Sequence, residues 1–458
     1  MPETGYTPLL LMVLATALWL WTRKVNPNSL IPSIFFLAFQ AYIGVGTVVA
    51  ALPLDVAGSV FLSDLFGPHA AAYRMALLTQ LMVIAFLLPW SFSNPRLVTG
   101  IPVPNIPPIP RDPRFIKSSL AWIAAGIAFQ ATMQLIIALR FQLPLLSPDF
   151  EVARGYILAN GGWKLILPSY MFMGPVVLAY AAILKDWTIY SRSKRGQNIS
   201  KSTIWKLRIA VLFCFFLYGV TGIAVGFRTF FIFSILIILW SSLLFGNYRA
   251  IGFAFIGFIL FFILAISFSY TKFSELDVNN DGIYFIVAKT LNRVSFQGYA
   301  ALLLIDESID RSGILYGQTF IMQINTYFPI KDAITYGGML GKEAGFDEGF
   351  TLTPTIAGES YANFSYVGIF AFFVFGYIVK RWTSISRYQK ENFNLIKYFC
   401  KIMVASLLIV ELITIDTGAF IVMAIRLALL AIVFNVRLSV EPSWSATTTA
   451  PARLSSNS

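Results

Sequence analysis

The sequence predicts an all-α polytopic membrane protein with about 11 transmembrane helices. Of its 458 residues, 57% are hydrophobic and only 12% are charged, whereas soluble domains are roughly 25% charged. The apolar residues are concentrated in runs such as 209–226 and 251–268. Each run is close to the ~20 residues with which a helix spans a bilayer. This composition excludes an ordinary soluble enzyme.

The individual helices are placed by apolar runs that end at Lys, Arg, Pro or polar clusters. In order, these runs cover 6–22, 30–51, 70–91, 118–139, 162–184, 209–226, 229–246, 250–268, 364–379, 398–415 and 418–436. At Phe227-Arg228 two runs meet with almost no loop, so a tight hairpin and one interrupted helix both fit the pattern.

Four regions follow from these helices. Residues 1–268 hold transmembrane helices 1 to 8, and residues 364–437 hold helices 9 to 11. Between them, 269–363 is the longest stretch without a predicted span, and we expect an extracytoplasmic loop there with helical content. The Ser-, Thr- and Pro-rich tail at 438–458 is typical of a disordered cytoplasmic segment.

Lys and Arg are concentrated in every second loop, most densely in 185–208. The positive-inside rule then places the N-terminus outside and the C-terminus in the cytoplasm. The formal net charge of +12 thus reflects the Lys and Arg residues of the loops that we predict to be cytoplasmic. Because no basic block is interleaved with stacking aromatics, we expect no nucleic-acid partner.

Charged residues within or beside the spans are candidates for function, because an ionisable group at mid-bilayer costs at least ~2.5–3.5 kcal/mol. Arg228 lies two residues after Gly226, near the outer end of two helices, which favours a functional role. For Arg74, a structural interpretation is that its long side chain extends to the outer membrane–water interface. Arg426 could bind substrate, or could pair with Glu411 or Asp416 and lock two helices together.

The outer loop adds a cationic stripe. Lys289, Arg293 and Gln297 recur at i, i+4 spacing within a helical pattern at 282–304. They form either the solvated face of a surface helix or a clamp in which Arg293 holds phosphate oxygens.

Asp277, Asn279 and Asp281 match the first half of a calcium-binding loop, but the twelfth position, where a bidentate Glu belongs, is Ala288. An acidic turn that caps the following helix explains the same residues. We therefore assign no metal and no cofactor, and calcium binding at these three residues is the alternative.

The end of the loop, 350–368, is the most informative stretch. Hydroxyls, aromatic rings, the acid Glu359 and the amide Asn363 precede the ninth predicted helix. Aromatic faces stack on sugar rings, and a carboxylate accepts a hydroxyl proton. The competing interpretation is an aromatic belt at the membrane surface with a helix cap.

Two segments resemble the oligosaccharide repeat-unit polymerases, the Wzy-type O-antigen polymerases. They are Gly226-Phe227-Arg228 and the block 353–368, which is similar to that family's Gly-Glu-x-Tyr-x-Asn-Phe-Gly-x-x-Gly signal. Ser365 stands where the first late glycine is usual. No arginine in the outer loops has a glycine eleven places on, so the Arg-x10-Gly element of some members is missing.

The resemblance implies a metal-independent glycosyltransferase in the bacterial cytoplasmic (inner) membrane. It would join undecaprenyl-diphosphate-linked repeat units into a surface polysaccharide, such as that of lipopolysaccharide, at the outer face. Arg228 and Arg293 would hold the diphosphate, and Glu359 would be a base or a sugar ligand. A second group would bind or orient substrate: Arg74, Tyr361, Asn363, Asp416 and Arg426. A flippase and a chain-length regulator of the same pathway would be partners.

Two other functions fit the same outline. An O-antigen ligase shares the topology and the large outer loop but transfers finished polysaccharide to lipid A core. A transporter or flippase of lipid-linked oligosaccharide is the alternative from a different class. The lack of a visible internal repeat counts against a transporter.

Overall fold

The computed structural model describes most of the predicted helices. The described residues are 6–26, 30–44, 46–48, 69–92, 97–98, 113–141, 153, 156–157, 160–196, 198–224, 229–247, 252, 256, 301–327, 335–343, 353–386, 395–414 and 417–438. Several predicted features lie outside them: Arg228, Arg293, Asp416, the calcium candidates Asp277, Asn279 and Asp281, most of the helix at 250–268, and the tail beyond Leu438.

The described chain is almost wholly helical. The first half contains α1 (Thr7–Val25), α2 (Ile31–Phe39), α3 (His69–Ser91), α4 (Pro113–Arg140), α5 (Trp163–Ile166), α6 (Gly174–Arg195), α7 (Lys201–Ala224) and α8 (Thr229–Leu244). Two π-helical segments continue α2 and join α5 to α6, at Gln40–Gly44 and Leu167–Met173.

The second half begins with helical residues 301–312, here α9. It continues with α10 (Gln318–Tyr327), α11 (Tyr336–Glu343), α12 (Thr355–Phe364), α13 (Gly368–Thr383), α14 (Leu395–Thr414) and α15 (Ala419–Leu438), and a short 3₁₀ turn, Ser365–Val367, joins α12 to α13. The two-residue strands β1 (Leu97–Val98) and β2 (Ile385–Ser386) pair antiparallel.

The membrane class is supported by helix length and composition. Among the described residues, six helices are long and apolar enough to cross a bilayer, and three shorter apolar helices accompany them. Every predicted run except 250–268 overlaps a described helix for at least part of its length. The total of about 11 spans and the orientation of the termini stay predictions.

The ends of α1, α3 and α13 meet on one side of the bundle. The last carbonyls of a helix have no partner within it. The Trp90 carbonyl of α3 accepts a hydrogen bond from Asn26 Nδ2 at 2.6 Å, and Lys380 Nζ donates to the carbonyls of Pro89 and Phe92 at 2.7 Å each. These three helices therefore end on the same side, where β1 also pairs with β2.

Close packing of α3 against α13 depends on a glycine. A Cβ at Gly376 would lie 2.4 Å from the Phe86 carbonyl oxygen, so no larger residue fits. Small residues at such crossings let helix backbones approach in membranes. Phe35 stacks on Phe86 with ring centroids 3.6 Å apart, which adds α2 to this core.

A buried carboxylate links α6 to α8. Asp186 is fully buried and accepts hydrogen bonds from Ser241 Oγ at 2.7 Å and Asn247 Nδ2 at 2.9 Å. Lys185 Nζ lies 3.3 Å from the same carboxylate. A buried charge needs such partners, so this cluster holds the two helices together.

Candidate functional site

The polar stretch at 355–363 forms a buried helix. All residues of α12 from Thr355 to Asn363 are buried. The ninth predicted helix starts at 364, after these polar residues, whereas the helical segment begins at Thr355 and continues to Thr383 with one 3₁₀ turn. Hydropathy missed this start because the polar side chains of α12 are satisfied within the protein.

Close approach of α12 to α9 is possible because α12 carries Gly358. A Cβ there would lie 2.5 Å from Ile305 Cδ1. The next residue, Glu359, lies in the protein interior with no exposed surface.

Both oxygens of Glu359 accept hydrogen bonds. Gln323 Nε2, from α10, donates to Oε1 at 3.3 Å, and the backbone N–H of Thr417 donates to Oε2 at 2.9 Å. An ionised carboxylate accepts only, and two N–H donors suit it. Glu359 thus connects α12 to α10 and to the turn before α15.

A cavity of about 390 Å³ adjoins this carboxylate. Its lining is mostly aromatic and aliphatic: Phe320, Gln323, Ile324, Ile356, Ser360, Phe364, Ala371, Phe372, Phe375, Thr417, Gly418, Phe420 and Ile421. Gln323 and Thr417, which donate these hydrogen bonds, belong to this wall. A ligand in the cavity would therefore lie beside two residues that donate hydrogen bonds to Glu359.

Two buried hydroxyls near Glu359 have no hydrogen-bond partner within the described part of the chain. They are the Thr417 hydroxyl, on the cavity wall, and the phenol of Tyr336, at the start of α11. Burial raises the pKa of Tyr336, and the negative charges of Glu343 and Glu359 raise it further. The phenol therefore stays protonated and keeps a proton to donate. Unpaired buried hydroxyls are costly, and of these two only the Thr417 hydroxyl belongs to a residue that lines the cavity.

Tyr361 and Arg74 both donate hydrogen bonds to the carboxylate of Asp306. The Tyr361 hydroxyl donates to Asp306 Oδ1 at 2.8 Å, and Arg74 donates to Asp306 Oδ2 at 2.7 Å. Asp306 is buried, whereas the Arg74 side chain is 42% exposed and also lies 3.3 Å from the exposed Asp310. The structure therefore brings Arg74 and Tyr361 together through α9, with the guanidinium still partly open to solvent.

Replacement of Arg74 tests this ion pair. Arg74→Gln should lower the free energy of unfolding by about 1–3 kcal/mol, because it leaves the Asp306 charge buried without its cation. Asp310→Asn is the matched control, since an exposed pair is worth about 0–1 kcal/mol. Thermal unfolding of the detergent-purified protein measures both. Equal unfolding midpoints for R74Q and the wild type would show that Asp306 does not depend on Arg74.

Asn363 holds the turn that precedes α10. Its Oδ1 accepts the Gly317 N–H at 2.9 Å, and its Nδ2 donates to Thr319 Oγ1. The Leu315 N–H also donates to the Ala362 carbonyl at 2.9 Å. Asn363 therefore positions α10, and with it Gln323, rather than facing the cavity.

Arg426 is paired elsewhere in the bundle. Its guanidinium donates to Glu411 at 2.6 Å, and both side chains are 3% exposed. It also donates to the carbonyl of Met171 in the π-helical segment. Of the two interpretations that the sequence left open for Arg426, this geometry agrees with the locking of two helices.

The sequence did not single out Asp306 or Gln323. Asp306 and Asp310 stand at i, i+4, a spacing that puts two acids on one helix face and was readable. Gln323 carries no such signal, because its contact with Glu359 depends on how α10 and α12 pack. Arg228, Arg293 and Asp416 lie outside the described residues, so their relation to Glu359 stays a prediction.

Comparisons with known proteins find no match to a family model, to a curated protein or to a solved structure.

Proposed function

We propose that this chain is a membrane glycosyltransferase that polymerises lipid-diphosphate-linked oligosaccharide repeat units at the outer face of the bacterial cytoplasmic membrane. The observation that carries the proposal is the buried carboxylate of Glu359 beside a largely apolar cavity, within helices long enough to span a bilayer. The resemblance of 353–368 to the repeat-unit polymerases supplies the specific reaction.

The surroundings of Glu359 suit a substrate with one polar and one apolar part. Aromatic rings of the cavity, such as Phe364 and Phe420, suit a sugar face or an isoprenoid chain. The Thr417 hydroxyl and Gln323 supply polar groups on the same wall. An ordinary ligand pocket has this composition, apolar with a few placed polar groups.

The proposed transfer forms one bond and breaks one. A hydroxyl oxygen of the acceptor repeat unit attacks the anomeric carbon of the donor's first sugar. The bond between that carbon and the diphosphate oxygen breaks, and the lipid diphosphate leaves with its electron pair. The acceptor hydroxyl proton passes to Glu359, which acts as the general base.

Cations would stabilise the departing diphosphate, as preorganised charge does for a developing anion. Arg228 and Arg293 are the sequence-based candidates. Arg74 is a further one, because its guanidinium is partly exposed and an incoming phosphate could replace its contact with Asp310. Arg74 is attached to Glu359's helix through Asp306 and Tyr361.

The glycan profile of a strain that lacks this chain tests the function. We expect the ladder of long chains to collapse to single repeat units, and the wild-type gene to restore it. Resolution by lipid carrier separates the alternatives. Long polymer that accumulates on the carrier would indicate a ligase. Purified protein that moves lipid-linked substrate across vesicles without a covalent change would indicate a transporter.

Arginine variants test the diphosphate assignment in that strain. Arg228→Ala and Arg293→Ala should each abolish long chains, while the protein still inserts and accumulates, because phosphate recognition depends on the guanidinium. Arg140→Ala, at the exposed end of α4, is the control and should give a normal ladder. Normal chains from R228A and R293A would overturn the assignment.

A further inference from the structure

A basic pocket of about 460 Å³ lies between the end of α6 and the start of α7, away from Glu359. Its lining consists of Ile189, Arg192, Ser193, Lys201, Ile204, Trp205 and Arg208. Three of these seven residues are cations and none is an acid. Like charges around one concave surface repel each other, so the pocket is suited to an anion.

These cations are not neutralised by the described part of the protein. The described ion pairs include none of Arg192, Lys201 and Arg208. The Arg208 guanidinium lies 6.0 Å from the centre of the Trp205 ring, which holds it without removing its charge.

The start of α7 adds a partial positive charge to the pocket. Ser200 caps this helix, with its Oγ accepting the Thr203 N–H at 3.1 Å. The pocket residue Lys201 is the first residue of α7. A helix N-terminus attracts anions, so it reinforces the three cationic side chains.

The pocket lies at the boundary of two apolar spans. One span ends at Ser193 and the next begins at Lys201. Below the pocket, α7 presents an exposed apolar stripe at i, i+4, i+7, i+8 and i+11 spacing: Trp205, Ile209, Leu212, Phe213 and Phe216. A molecule with an anionic headgroup and apolar chains would match this arrangement of a basic pocket next to an apolar stripe.

We propose that this pocket binds the phosphate headgroup of an anionic phospholipid, with the acyl chains along the α7 stripe. Two observations distinguish it from the general excess of cations at membrane surfaces. The cations surround a single concavity, and an interfacial Trp and an exposed apolar stripe continue from it. The site is independent of the proposed transferase activity.

Thermal unfolding of the full-length protein in detergent tests the proposal. Phosphatidylglycerol should raise the unfolding midpoint of the wild type, because a ligand that binds the folded state stabilises it. Phosphatidylcholine, and inorganic phosphate at the same concentration, should not. In Arg192→Gln/Arg208→Gln, half of the effect should need about thirtyfold more phosphatidylglycerol. Lys206→Gln is the matched control, since Lys206 is exposed on α7 but does not line the pocket.

Three outcomes would overturn the proposal. The first is an equal phosphatidylglycerol response in the double variant, the control and the wild type. The second is a response to inorganic phosphate that matches the lipid response, which would indicate a site for a free anion. The third concerns Arg192→Lys/Arg208→Lys, which keeps both charges and replaces the double Gln variant if that protein fails to accumulate. An absent phosphatidylglycerol response in this folded Lys variant would also contradict the proposal.

Discussion

Glu359→Gln should reduce the rate of polymer synthesis by about 10²–10⁴-fold, the usual contribution of a general base. The amide has the size of the carboxylate and can still accept the Thr417 N–H, but it cannot take a proton from the acceptor hydroxyl. The measurement is chain length and polymer yield at matched protein levels, in a strain that expresses only the variant.

Two further variants make this result specific. Glu359→Asp keeps the charge but withdraws it by one methylene, and a displacement of about 1 Å at a reacting group costs on the order of 10²-fold. Glu343→Gln removes an exposed acid of the neighbouring α11 and should leave the ladder unchanged. A wild-type ladder from E359Q would show that Glu359 only anchors α10 and the turn at Thr417.

The burial of Glu359 sets a condition for this chemistry. No part of its side chain is exposed, and the cavity lining includes Gln323 and Thr417 but not Glu359 itself. An acceptor hydroxyl in the cavity can therefore reach the carboxylate only if residues of the cavity wall, such as Gln323, move. Because Asn363 holds the turn that precedes α10, it helps to fix the position of α10 and therefore of Gln323.

Loss of one partner from the buried pair of Arg426 and Glu411 should destabilise the protein by about 3–5 kcal/mol. Each single variant, Arg426→Met or Glu411→Leu, leaves one charge in the bundle interior without a counter-ion. We expect both proteins to fail to accumulate, as measured by membrane content and by the unfolding midpoint.

The double variant separates structure from function. An apolar pair of similar volume often replaces a buried ion pair at little cost. Arg426→Met/Glu411→Leu should therefore accumulate again, though less than the wild type because the Met171 carbonyl loses its donor. We expect it to make normal polymer. Accumulation without polymer would assign Arg426 a contact with substrate instead.

Sequence patterns identified the chemistry of the site better than its surroundings. Glu359, Tyr361 and Asn363 stood out because an acid, an amide and hydroxyls occur together directly before an apolar run. The part played by each depended on residues far away in the chain: Asp306 for Tyr361, the turn at Gly317 for Asn363, and Gln323 for Glu359. A single sequence does not report such distances between segments.

The start of α12 likewise became clear only from the tertiary structure. Hydropathy measures how well a segment dissolves in lipid, and the polar residues at 355–363 score poorly on that scale. They are nevertheless helical and buried, because neighbouring helices supply their hydrogen-bond partners. The π-helical segment Leu167–Met173 was also missed, and its Met171 carbonyl is bonded by Arg426 from α15.

The sequence by itself determined the membrane class, the approximate position of most helices and the residues able to carry charge chemistry, since each depends on local composition. The tertiary structure decided which charges meet. It paired Arg426 with Glu411, joined Arg74 to Tyr361 through Asp306, and enclosed Glu359 beside the cavity. The physical reason is that a buried charge is stabilised only by groups within hydrogen-bond reach, and packing brings those groups from distant segments.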